Sequence, residues 1–120
     1  MNWLLVMLGG ALGSGARYGL GLALGGGRFP WGTLAVNLGG GLAMGLVIGA
    51  LARVAGAEPW RLLLGIGFLG GFTTFSSFAL DAVTLVERGA PGLAALYVLG
   101  SVAGAIGGVA AGLALARGLA

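Results

Sequence analysis

GGFTTFSSFALD, residues 70–81, is the stretch on which the reading of this chain turns. Four hydroxyls, on Thr73, Thr74, Ser76 and Ser77, stand among three phenylalanines in one of the most apolar parts of the sequence. In a water-soluble protein such a run would suit an edge strand. The composition points elsewhere: 58% of the 120 residues are hydrophobic, 8% are charged, and the mean hydropathy is +1.07. Soluble domains carry about a quarter charged residues. The stretch is therefore expected inside a membrane span, where polar groups are expensive and usually face a protein interior or a water-filled path.

Working outward, apolar segments run at about 3–24, 32–52, 62–86 and 93–116. Each has the roughly 20 residues a helix needs to cross a hydrocarbon core of about 30 Å. The connectors GGGRFPW, RVAGAEPWR and ERGAPG carry the Gly, Pro and Arg of short surface turns. The expected fold is an all-α integral membrane protein, a single four-helix domain over residues 1–120. The first segment lacks a basic leader and exceeds the apolar length of a signal peptide, so it is read as a span.

The rest of the composition narrows function. Lysine, histidine and cysteine are absent, which removes the commonest zinc ligands, Schiff-base lysines, thiol nucleophiles and the usual general base. No enzymatic activity is expected. A net charge of +3, spread over short loops without a basic-aromatic stripe, speaks against a nucleic-acid partner. The bias toward Ala, Gly, Leu and Arg suggests a GC-rich bacterial genome, and hence a multi-pass protein of the bacterial inner membrane.

Arginine-rich loops normally face the cytoplasm. Four spans place Arg53, Arg61 and Arg117 on one face and Arg28 and Arg88 on the other, with Arg17 close beneath the second. So small a bias would let both orientations insert, which leads to an antiparallel, dual-topology homodimer; the alternative is that another factor fixes one orientation. Glycines recur at i+4 on the fourth segment (Gly100, Gly104, Gly108, Gly112), the second (Gly41, Gly45, Gly49) and the first (Gly9, Gly13). In lipid such stripes let helix backbones approach closely. They are read as packing surfaces and not as phosphate loops.

Polar residues within the spans are few: Ser14 and Arg17, Thr33 and Asn37, the TTFSS run and Asp81, Tyr97 and Ser101. Thr33 and Asn37 share a helix face at i and i+4, as do Tyr97 and Ser101. Gly70 and Gly71, poor helix formers, precede the β-branched pair Thr73 and Thr74 near the middle of the third segment, which predicts a break in that helix. Broken helices at membrane depth occur where the freed backbone lines a cavity or holds an ion. Beyond the break, Phe75 and Phe78 project about 60° apart, with Ser76 and Ser77 pointing away. Either these rings line a path, or they face lipid or core while the hydroxyls bond back to the preceding turn. Arg17 either draws anions at a pore mouth or snorkels at the interface.

On GGALGSGARYG (9–19), GTLAVNLGG (32–40) and GGFTTFSSFALD (70–81), in that order and spacing, the chain resembles the Fluc (CrcB) fluoride channels. The resemblance implies a dual-topology homodimer with two antiparallel fluoride pores. It implies Phe75 and Phe78 as pore aromatics, Asn37 as the pore amide, and Tyr97 and Ser101 as part of a polar track. It also implies a sodium ion at the dimer interface, held by the backbone carbonyls of Gly70 and Thr73. Asp81, expected with Arg17 near the pore mouth, stands where relatives often have glutamate, and Ala105 where some have a hydroxyl. The chemistry is coherent: Asn37, Thr33, Ser76, Ser77, Tyr97 and Ser101 donate hydrogen bonds without fixed charge, and phenylalanine edges carry positive electrostatic potential. Two rival readings are a small multidrug-type transporter, which needs a carboxylate absent from the first segment, and a structural subunit of a larger membrane complex.

Overall fold

The computed structural model describes residues 1–118. Helix α1 (Asn2–Leu24) and α2 (Trp31–Leu51) are joined by a glycine-rich turn. The third span, Glu58–Glu87, is two helices: α3 (residues 58–72) and α4 (Phe75–Glu87). Helix α5 (Pro91–Gly118) completes the bundle, so the described residues form an all-helical fold of four rods. The second, third and fourth rods are each long and apolar enough to cross a membrane. At 23 residues α1 is also long enough, but Ser14, Arg17 and Tyr18 dilute its apolar character.

The third rod changes partners at its interruption. Its first half packs along α1 and touches α2, whereas α4 packs against α5. Between the halves, Thr73 (φ −83°, ψ 156°) and Thr74 (φ −150°, ψ 125°) are extended. The expected break is therefore present near the middle of the span, but Gly70 and Gly71 are still helical and the chain opens at the threonines. Threonine favours extended backbone because its branched Cβ is restricted in a helix. Upstream, residues 61–69 form wide i→i+5 turns, as in the bond from the Gly70 amide to the Gly65 carbonyl. This stretch coincides with a close approach to α1: a Cβ on Gly67 would lie 3.0 Å from the Val6 carbonyl oxygen and 3.1 Å from Gly9 Cα.

Glycines also make the α2–α5 contact. A Cβ on Gly41 would stand 2.8 Å from the Ala105 carbonyl oxygen, and one on Gly45 or Gly112 would strike the backbone of the facing helix. Gly9 and Gly13 do the same against α3. Gly100 is the exception in the expected ladder, with no atom near its missing Cβ. Side-chain burial is correspondingly sparse. Phe78, Leu85, Ala94 and Tyr97 form a small core, roofed by Phe29 from the α1–α2 turn. Large apolar side chains such as Trp3, Leu8, Leu96 and Leu99 lie exposed, as lipid-facing residues are.

Alanine is the better helix former by about 1 kcal/mol, yet overpacking a tight contact costs about 1–3 kcal/mol. Gly45→Ala is accordingly expected to lower stability in detergent unfolding assays, and Gly100→Ala to leave it unchanged or raise it. Equal effects at the two positions would contradict the packing described.

Candidate functional site: the clamped break and its flanking cavities

Side chains from two other helices hold the break open. The Thr74 N–H donates to Asn37 Oδ1 at 2.8 Å, and Asn37 Nδ2 donates to the Thr74 carbonyl at 3.0 Å. A carboxamide thus pairs with the backbone of one extended residue as a neighbouring strand would. From α1, Arg17 Nε donates to the Gly71 carbonyl at 3.1 Å, with Ser14 Oγ at 3.5 Å from the same oxygen. Thr73 bonds Leu69 O through both its N–H (3.0 Å) and its Oγ1 (2.9 Å), closing α3. Thr74 Oγ1 accepts the Ser77 N–H at 3.2 Å and caps α4.

These bonds decide which carbonyls are released. In a continuous helix Gly70 O would accept from the Thr74 N–H, and Thr73 O from the Ser77 N–H. Asn37 takes the first donor and Thr74 Oγ1 takes the second. Gly71 O, deprived of the Phe75 N–H across the break, is compensated by Arg17. Gly70 and Thr73 therefore present carbonyl oxygens without their helical donors.

Two spaces flank the break. On one side an open groove of about 410 Å³ is lined by Asn37, Thr74, Phe75, Phe78 and Ser101 among apolar residues of α2 and α5. Phe75 stands on its rim, 79% exposed, with its ring centroid 5.6 Å from that of buried Phe78. Ser101 is only 4% exposed and its Oγ has no hydrogen-bond partner among the described residues. Ala105 adds an apolar patch to this wall. On the other side a cavity of about 230 Å³ is lined by Arg17, Thr33, Thr74 and Ser77. Thr74 borders both spaces.

The sequence-derived residues thus fall into two groups around the break. Asn37, Phe75, Phe78 and Ser101 share the groove, whereas Arg17, Thr33 and Ser77 share the cavity. Ser76 is exposed, with Oγ 3.4 Å from Thr74 Oγ1. Tyr97, 1% exposed, packs on Phe78 (5.2 Å) and Phe29 (5.4 Å, edge-on), and its hydroxyl donates to Asp81 Oδ2 at 3.0 Å. Tyr97 therefore supports the groove from behind. Sequence reasoning missed Thr74 as a helix cap, although a threonine immediately before an apolar helical run is a preferred N-cap residue. It also missed the Asn37–Thr74 and Arg17–Gly71 pairings, which join residues 37 and 54 positions apart and leave no local trace.

Asn37→Ala removes both partners of the Thr74 backbone, and an unsatisfied buried amide or carbonyl costs about 1–3 kcal/mol. Hydrogen exchange at the Thr74 amide is expected to accelerate by roughly tenfold or more in that variant. An unchanged exchange rate would show that the break does not depend on Asn37.

Residues 4–113 match the family described as CrcB-like protein, Camphor Resistance (CrcB). The chain is 50% identical over 123 residues to the fluoride-specific ion channel FluC 2 of Nitrobacter hamburgensis, with 99% of each chain covered. It is 54% identical over 121 residues to the fluoride-specific ion channel FluC of Methylobacterium nodulans, covering 98% of this chain and 97% of that one. Against the protein of that name from Agrobacterium fabrum the identity is 54% over 123 residues, with 99% and 98% covered. With the broken third rod and the motifs that surround it, these matches place the chain in the CrcB family.

Proposed function

We propose that this protein is a passive, fluoride-selective channel of the bacterial inner membrane that exports cytoplasmic fluoride. The observation that carries the reading is the groove beside the clamped break, in a chain whose full-length relatives are named fluoride-specific channels. The groove pairs a buried, unpartnered Ser101 hydroxyl with the rings of Phe75 and Phe78 and the amide of Asn37. A small, strongly hydrated anion needs donors to replace its water, and donors without full charge let it leave again. Asn37 Nδ2 carries two hydrogens, of which Thr74 O takes one. The second remains for an anion. Ring edges of Phe75 and Phe78 offer further positive potential. Thr33 and Ser77 supply hydroxyls on the far side of the break, and Ser76 adds an exposed one beside Thr74. No carboxylate lies on α1, which disfavours proton-coupled exchange of the multidrug type. Export follows from chemistry: the weak acid HF enters from an acidic exterior and dissociates inside.

The groove is open along one side, and lipid offers nothing to a buried hydroxyl. A second copy in the antiparallel orientation would close it, consistent with the near-even arginine count. The released carbonyls of Gly70 and Thr73 suit a shared monovalent cation. Thr73 Oγ1 donates its proton to the Leu69 carbonyl, which turns that side chain back onto α3, and the oxygen released by the break at this residue is its carbonyl. Two oxygens per copy are too few alone, and a pair of copies brings four. Among the described residues no cluster of acidic or other metal-binding side chains exists, so a singly charged hard ion such as sodium fits better than calcium or magnesium. The ion would satisfy carbonyls and fasten the two copies; the fluoride path runs through side chains of the groove.

Purified protein in liposomes is expected to release fluoride and retain chloride. Phe75→Ile or Phe78→Leu should slow fluoride release about tenfold, equivalent to roughly 1.4 kcal/mol on the barrier, with the dimer preserved. Fluoride release that is absent, or unaffected by both substitutions, would contradict the reading. In the same membranes a C-terminal tag should be reachable from both sides, and a tag on one side only would exclude the antiparallel pair.

A further inference from the structure

We infer that Gly40 on α2 is a positioning residue for the transport path: the space left by its absent side chain seats the methyl group of Thr73, and that fit sets where α3 ends and where Phe75 stands. The inference rests on the channel reading above and concerns a glycine outside the i+4 stripe of Gly41, Gly45 and Gly49.

The run Gly39–Gly41 faces three different surroundings. A Cβ on Gly39 would meet nothing within 4 Å, and one on Gly41 would press on Ala105 of α5. Gly40 is buried and faces the break. A Cβ there would strike Thr73 Cγ2 and lie 3.3 Å from Phe72 Cδ2. Phe72 is the last helical residue of α3 and Thr73 the first extended one beyond it. The notch at Gly40 therefore holds the chain at the point where its conformation changes.

Thr73 uses both branches of its side chain. Its Oγ1 donates to the Leu69 carbonyl at 2.9 Å, and its Cγ2 fills the notch. Hydroxyl and methyl share one Cβ, so engaging both selects a single χ1 rotamer and fixes Thr73 against α3 and α2 together. Asn37, three residues before Gly40 and on the same side of α2, pins the backbone of the next residue, Thr74. One face of α2 thus grips two consecutive residues, the first by packing and the second by hydrogen bonds. Thr73, Thr74 and Phe75 line the same groove as Asn37 and Gly40. A displaced Thr73 would carry its shift to Phe75 on the rim, two residues on. A glycine that served helix packing in general would be indifferent to the methyl at position 73.

The test is a double-mutant cycle between positions 40 and 73, read by fluoride release from liposomes. Gly40→Ala is expected to slow release about tenfold, because its methyl competes with Thr73 Cγ2 for one space. Thr73→Ser removes that methyl and keeps the hydroxyl that bonds Leu69. Alanine at position 40 is then expected to leave release within about twofold of the rate of Thr73→Ser alone. In bilayers, the backbone carbon shifts of residues 73 and 74 are expected to move in Gly40→Ala and, in the double variant, to match those of Thr73→Ser. Equal slowing by alanine beside threonine and beside serine would overturn the seat while leaving the channel reading intact. Shifts at residues 73 and 74 that stay unchanged in Gly40→Ala would overturn it as well. If Gly40→Ala does not fold, recovery of folding in the double variant supports the seat, and failure of both variants to fold overturns it. Absence of fluoride release from the unmodified protein would overturn the channel reading itself, and the role of Gly40 in transport with it.

Discussion

Everything distinctive in this bundle depends on one pairing, between the carboxamide of Asn37 and the backbone of Thr74. A helix in a dry interior keeps its amides and carbonyls satisfied by bonding to itself. Interrupting it requires outside partners of matching geometry. Asn37 supplies a donor and an acceptor at 3.0 and 2.8 Å, so Thr74 stays extended. Arg17 then compensates Gly71, and Thr74 Oγ1 starts the next helix. Without these side chains, continuous helix would be the cheapest way to satisfy the backbone.

The interruption organises the rest. It lets the third rod leave α1 and turn to α5, which opens a groove on one side and a cavity on the other. Close glycine contacts elsewhere make this geometry rigid. Where backbones touch, as at Gly67 against α1 and Gly41 against α5, little room remains for the helices to slide. The polar residues are then left at fixed points: Ser101 in the groove wall, Ser77 and Thr33 across the break, and the Tyr97–Asp81 pair behind Phe78.

Much of this was legible in the sequence. Long apolar runs and their Gly, Pro and Arg punctuation define four rods, because lipid imposes length and hydrophobicity on each one separately. The glycine stripes at i+4 announce tight contacts for the same local reason. The break is legible from GGFTT, but its position is not. Glycine propensity pointed to residues 70 and 71, whereas the chain opens at Thr73 and Thr74. What decides between them is Asn37, a residue on another helix, and no local propensity encodes it. Arg17 is a parallel case. From sequence it reads as a charge near a membrane surface, yet its Nε lies on the Gly71 carbonyl, a partner 54 residues away. The wide turns of residues 61–69 were likewise invisible, since they coincide with contact to α1 and not with any pattern in RLLLGIGFL.

The central claim is that two extended threonines, pinned from α2, separate two helices in the working protein. Backbone carbon chemical shifts across residues 69–78, measured in bilayers on protein that conducts fluoride, test it most directly. Helical shifts are predicted for Gly70, Gly71 and Phe72 and again from Phe75 onward, with extended values at Thr73 and Thr74 alone. Helical shifts running unbroken through both threonines would contradict it.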